Sequence, residues 1–113
     1  MARKLTKYTK ILSDYLSEYA DDRMPKNDIH YQFVQDNKHR HYQILRMAWV
    51  KDIFRYEIVF HFEIKEDAKV WLWVNNTDIV VTEDLIELGI PKKDIVLGFH
   101  SPDVRQYTGY AVA

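Results

Sequence analysis

His39 and His41 stand two positions apart, which on a strand puts both imidazoles on one face, and His61 lies where a third strand could bring it beside them. Such a trio offers neutral ring nitrogens to a zinc ion. Lys38 and Arg40 flank the first two, however, and their charge opposes a divalent cation, so solvated or hydrogen-bonded histidines are the favoured reading. Glu57, Glu63 and Lys65, on what reads as the outward face of one strand, form the second constellation. Glu63-Ile64-Lys65 has the acid-x-lysine spacing of metal-dependent nucleases, yet charged residues alternate on any solvated strand face. No serine-histidine-aspartate arrangement accompanies it, and the chain has only 3 glycines, too few and too scattered for a phosphate-binding loop. No catalytic residue, metal ligand or cofactor is assigned, and the chain is read as a non-enzyme.

The third group is aromatic. Trp49, Trp71 and Trp73 fall opposite the positions that alternate as core, with little besides Leu45, Met47 and a short C-terminal segment to cover them. Either the C-terminal run folds over that face, or a second chain does, since tryptophan and tyrosine concentrate at interfaces. Near the C-terminus, Ser101 before Pro102 reads as an N-cap opening one short helical turn. That turn is expected to send Val104 and Tyr107 inward and Arg105 toward solvent or across an interface. Arg105 otherwise ties the tail to groups of its own chain. Trp49, Trp71, Trp73, Phe99, His100, Arg105, Tyr107 and Tyr110 are the candidate partner-binding residues.

The elements that must hold these groups follow from periodicity. Leu5, Tyr8, Leu12, Tyr15 and Tyr19, widened by Ile11 and Leu16, trace one face of a helix whose other face is Lys7, Lys10, Asp14 and Glu18. The run from Asp21 through Met24 to Pro25 ends it. Ile29 to Gln35 and Arg40 to Val50 make a hairpin about Asp36-Asn37-Lys38, the second strand carrying bulk on both faces and so expected to be covered on both. Lys51-Asp52 turns into a third strand with Phe54, Tyr56, Ile58, Phe60, Phe62 and Ile64 inward and Arg55, Glu57, His61 and Glu63 outward. Val70 to Val74 is a fourth strand. A helix from Asp78 ends at Leu88, where Gly89 supplies a left-handed stop and Pro91 prevents resumption. Ile95 to Leu97 is a short strand buried beside longer ones. The expected fold is α+β: an antiparallel meander of about four strands plus a short C-terminal strand, with the N-terminal and C-terminal helices on one face.

A chain of 113 residues, 47% hydrophobic, supports one core and is read as a single domain, residues 1–113. Absence of cysteine excludes disulfides and thiolate chemistry and fits a cytoplasmic protein. No segment reads as a membrane span. Net charge is −1 and the isoelectric point is about 6.5, with acids and bases interspersed, so there is no broad field to hold a polyanion.

The C-terminal run resembles the signature of the XisI family, controlling factors for excision of the fdxN element in cyanobacteria. Leu85, Glu87, Gly89, Pro91, Lys92, Asp94 to His100, Pro102, Arg105, Tyr107, Thr108, Ala111 and Val112 fit its pattern in order, while Ser101, Gly109 and Tyr110 depart from it. Upstream, Tyr42-Gln43, Trp49, His61, Ile64, Lys69, Trp71 and Asn76-Thr77 fall where the family places similar residues. The resemblance implies a non-catalytic accessory factor for site-specific excision, working with an XisH-like partner and a separate recombinase through protein contacts. Contact with DNA would then be indirect. The aromatic surplus adds the expectation of a symmetric homodimer. The alternatives are a small metal-dependent nuclease or hydrolase, or a direct DNA-binding module.

Overall fold

A computed structural model describes residues 2–23, 25 and 28–113. Met24, named with the helix stop, lies outside them. The chain begins with α1 (Ala2–Asp22), followed by β1 (Ile29–Asp36), β2 (His41–Val50), β3 (Ile53–Ile64), β4 (Val70–Asn75), α2 (Val81–Leu88), a 3-10 turn (Lys92–Asp94), β5 (Ile95–Leu97) and α3 (Pro102–Arg105). The strands form one sheet in sequence order, with β1 to β4 antiparallel and β5 parallel to β4. The fold is α+β. The parallel pair arises because α2 carries the chain back before β5, as a parallel connection needs a crossover element.

The stripe predicted for α1 is the one it buries. Tyr8, Leu12 and Leu16 are sealed against Tyr42, Ile44, Phe60, Phe62 and Leu85, while Lys7, Lys10, Asp14 and Glu18 on the other side are partly or fully solvated. Two tyrosines of this stripe do more than pack. Tyr8 donates to Asp94 on the 3-10 turn, which Lys4 also pairs at 3.3 Å, and Tyr15 donates to Asp84 of α2 at 2.5 Å. Burial, then the neighbouring carboxylate, push both phenols well above the ordinary tyrosine range. These bonds fix α1 to the C-terminal half of the chain.

The second helix starts later than its apolar residues suggest. Asn75 Oδ1 accepts from the backbone N–H and hydroxyl of Thr77, Thr77 Oγ1 accepts from the N–H of Ile79, and Asn75 Nδ2 donates to the Ile79 carbonyl. These local bonds occupy the backbone that a helix from Asp78 would need, so α2 opens at Val81. Its end matches expectation: Gly89 has φ +118° and its N–H reaches the Leu85 and Ile86 carbonyls. Leu88, however, is exposed.

The largest departure lies in β3. Its pairing with β2 slips by one residue between Ile44/Phe60 and Leu45/Ile58. A one-residue bulge exchanges the faces of everything beyond it. Phe60, Phe62 and Ile64 therefore face α1, whereas Phe54, Tyr56 and Ile58 join Leu45, Met47 and Trp49 on the far side. Phe54 and Tyr56, expected inward, are exposed, and the outer face of β2 is not covered as expected.

Candidate functional site

The sheet thus has one face under α1 and α2 and one that, among the described residues, is covered only at its β4–β5 end. There Trp71 and Trp73, two apart on β4, stack at 5.1 Å. Trp73 Nε1 donates to Glu63 at 3.0 Å and the Lys65 ammonium lies 4.0 Å from the Trp71 ring centre. The chain after β5 crosses this pair at Gly98, where an added Cβ would stand 2.8 Å from Trp73 and 3.1 Å from Trp71. Glycine is required there by close approach. Arg105 then reaches back. Its Nε donates to the His100 carbonyl at 3.0 Å, its Nη2 to the Gly98 carbonyl at 3.3 Å, and its guanidinium sits 4.9 Å from the Trp71 ring centre. Of the two readings left open for Arg105, the structure has the second: it is turned inward onto its own chain.

The α3 turn forms where predicted, after an extended Ser101 with Pro102 at the first position, but Ser101 Oγ donates to Asp103 and caps no backbone group. Val104 and Tyr107, expected inward, are exposed, Tyr107 at 82%. Phe99 is exposed and stacks on His100 at 4.6 Å. Tyr110 is half-buried between the Thr82 hydroxyl at 2.9 Å and Lys92. The candidate residues are therefore not one surface. Trp71 is 7% exposed and Trp73 partly covered, while Phe99 and Tyr107 are free near the C-terminus and Trp49 stands apart at the far end of the sheet.

Around Trp49 the structure assembles a patch that periodicity alone missed. Val50 and Ile53 pair across the Lys51-Asp52 turn, where Lys51 has φ 58°, and Trp49 meets Phe54 cross-strand at 5.2 Å. Trp49 is 54% exposed, Phe54 50% and Tyr56 60%, with Leu45, Met47 and Ile58 half-buried behind them, while Ile53 points to the opposite face. The signal was present: Ile58-Val59-Phe60 is three apolar residues in a row inside an alternating strand, the mark of a bulge.

The polar candidates are separated by the same slip. Glu57 turns to the helix side and lies 3.5 Å from Arg46, while Glu63 stays on the far side with Trp73, so the two acids never share a face. This corrects the expectation that both point outward from β3. His41 and His61 do meet, Nδ1 to Nε2 at 3.0 Å, with Glu63 3.7 Å from His41. Burial, then His41, hold the His61 imidazole below its ordinary pKa against the pull of Glu63. His39 instead pairs with Asp36 at 2.8 Å. Among the described residues no group of three or more histidines and carboxylates is placed to hold a metal ion, and no helix is long and apolar enough to cross a membrane.

No curated protein matches the chain. Solved structures do, two of them as follows. A XisI-like protein from Anabaena variabilis ATCC 29413 is 39% identical, with a TM-score of 0.89 over 96% of this chain and 99% of that one. The fdxN element excision controlling factor XisI from the same organism is 26% identical, with a TM-score of 0.82 over 97% and 99%. The family described as XisI protein matches residues 1–112, so the chain belongs to the XisI family.

Proposed function

We propose that this protein is a non-catalytic controlling factor for excision of a genomic DNA element and acts through protein contacts. Family membership and the likeness to the excision controlling factor support the process. The apolar patch of Trp49, Phe54 and Tyr56 supports the means, because solvent-facing aromatics contiguous with half-buried apolar residues are the composition of a partner site. The acids that might have done chemistry are engaged otherwise: Glu57 with Arg46 and Glu63 with Trp73. An XisH-like protein is the partner on this reading, the recombinase is reached through it, and a chain of net charge −1 neutralises too few phosphates to hold DNA itself.

The test is capture of a purified XisH-like protein by the native chain and by a Trp49→Ala, Tyr56→Ala double variant. The expected result is loss of about 2 kcal/mol of binding, roughly thirtyfold, with an unchanged melting temperature. Equal affinity of the two proteins would remove the patch from the mechanism. Sequence-dependent retention of duplex DNA by the protein alone, at physiological salt, would replace the accessory reading with direct recognition.

A further inference from the structure

The two edges of the sheet are treated differently. At one, β5 is only three residues long and the tail closes over it, Ala111 bridging Val96 and donating its N–H to the Ile95 carbonyl. At the other, β1 runs eight residues from Ile29 to Asp36 in unbroken register with β2, from Ile29↔Ala48 to Asp36↔His41. It contains no lysine, arginine or proline and no bulge, the devices that ordinarily keep an edge strand from pairing. Among the described residues nothing covers it.

Which of its groups are free follows from the ladder. Trp49 donates its N–H to the Asp28 carbonyl, so Asp28 and Trp49 are a bonded pair, and bonded pairs recur every second residue of an antiparallel ladder. The N–H and C=O of Ile29, Tyr31, Phe33 and Gln35 therefore point away from β2. The Phe33 carbonyl shows it: the side chain of Gln32 turns back to donate to it at 3.0 Å.

We propose that two copies of the chain pair through β1, antiparallel about a two-fold axis at Phe33, to give one continuous ten-stranded sheet. An axis normal to the sheet keeps each copy's helices on the same side, so facing residues must share a face, and the axis must pass through a residue. The free odd residues meet one another with the axis at any residue, so they leave the choice open. Charge selects among these. Centring on Gln32 would set Asp28 against Asp36 of the second copy at both ends, and like charges directly opposite destabilise a sheet. Centring on Tyr31 leaves Gln35 and Asp36 beyond the paired stretch. Centring on Phe33 sets His30 against Asp36 of the second copy twice over, Gln32 against Val34, and Phe33 against itself, with Tyr31, Phe33 and Gln35 all bonded across the axis. His30, Gln32, Val34 and Asp36 are exposed, and Asp36, which already holds His39 at 2.8 Å in its own chain, would add His30 of the second copy as a further partner. The occupant is thus a second copy because the strand is complementary to itself. Both Trp49 patches end on the same side of the joined sheet and remain open to a partner.

The chain has no cysteine, which makes a cross-linking test clean. Residues facing each other as a non-bonded antiparallel pair have Cα atoms about 4.5 Å apart, within disulfide reach. Native protein at micromolar concentration is expected to sediment as a dimer. Gln32→Cys protein mixed with Val34→Cys protein is expected to form a covalent dimer on mild oxidation, whereas neither does so alone. His30→Asp, which opposes two carboxylates at each end, is expected to weaken the dimer about fivefold, while His30→Lys keeps it. A native monomer overturns the proposal, as does a dimer in which Gln32→Cys links to itself or the mixed pair fails to link. The same holds for a dimer lost in Trp49→Ala instead of His30→Asp.

Discussion

The two ends of β3 start from the same kind of sequence and reach opposite fates. Toward Ile64 the strand is roofed by α1 on one side and, on the other, lies beside the Trp71–Trp73 stack under Gly98 and Arg105. Toward Ile53 it carries as many aromatics and is bare on the side where they point. What separates the ends is one inserted residue at the bulge, which moves Phe54 and Tyr56 to the face that no helix covers. Hydrophobicity measures how much there is to bury, whereas register decides whether anything lies there to bury it.

The largest expected effect tests this division directly. Phe62→Ala, at a position with no exposure, is expected to cost about 3–5 kcal/mol in urea unfolding, whereas Phe54→Ala is expected to cost less than about 1 kcal/mol. Similar losses at both positions would mean that the hairpin end is covered in solution.

Much of this was legible beforehand. The α1 stripe, the Gly89 stop, the strand order of the meander and the buried short strand all follow from local period and turn chemistry, because each depends on neighbours within a few residues. The misses have a different origin. The late start of α2 depends on whether Asn75 and Thr77 bond their own backbone, a competition that propensity leaves open. The faces of Phe54, Tyr56 and Glu57 depend on a single register slip. The choice between the two readings of Arg105 depends on carbonyls freed by the crossing at Gly98, which no spacing rule encodes. Of the candidate partner-binding residues, Trp49 lies in the patch on which the function is proposed, and its neighbours Phe54 and Tyr56 were hidden by the slip.

Arg105 carries the next effect in size. Because its guanidinium spans two carbonyls and lies over Trp71, Arg105→Ala is expected to lower stability by about 1–2 kcal/mol. Arg105→Lys is expected to recover little of it, since an ammonium cannot hold both carbonyls in one plane. Capture of an XisH-like protein should be nearly unchanged. An Arg105→Ala protein that melts normally but fails to bind would place the partner contact at the closed end and undo the contrast drawn here.

The smallest effect is expected at Ser101, where residue type and position both suggest a cap. Replacing a working N-cap serine by alanine costs about 1 kcal/mol. Here α3 has only four residues, and the N–H groups of Val104 and Arg105 are both taken by the Ser101 carbonyl, so its hydroxyl finds little unsatisfied backbone to serve. It donates instead to Asp103 at 2.7 Å, and that bond, first among its causes, holds the Asp103 carboxyl below its ordinary pKa. Ser101→Ala is therefore expected to change stability by less than about 0.5 kcal/mol, as an uninvolved surface substitution does, while the Asp103 titration followed by NMR moves up toward the ordinary aspartate range. A loss near 1 kcal/mol with Asp103 unmoved would show that the hydroxyl caps the turn after all. The closed end would then owe part of its stability to α3 as well as to the tryptophan stack and Arg105.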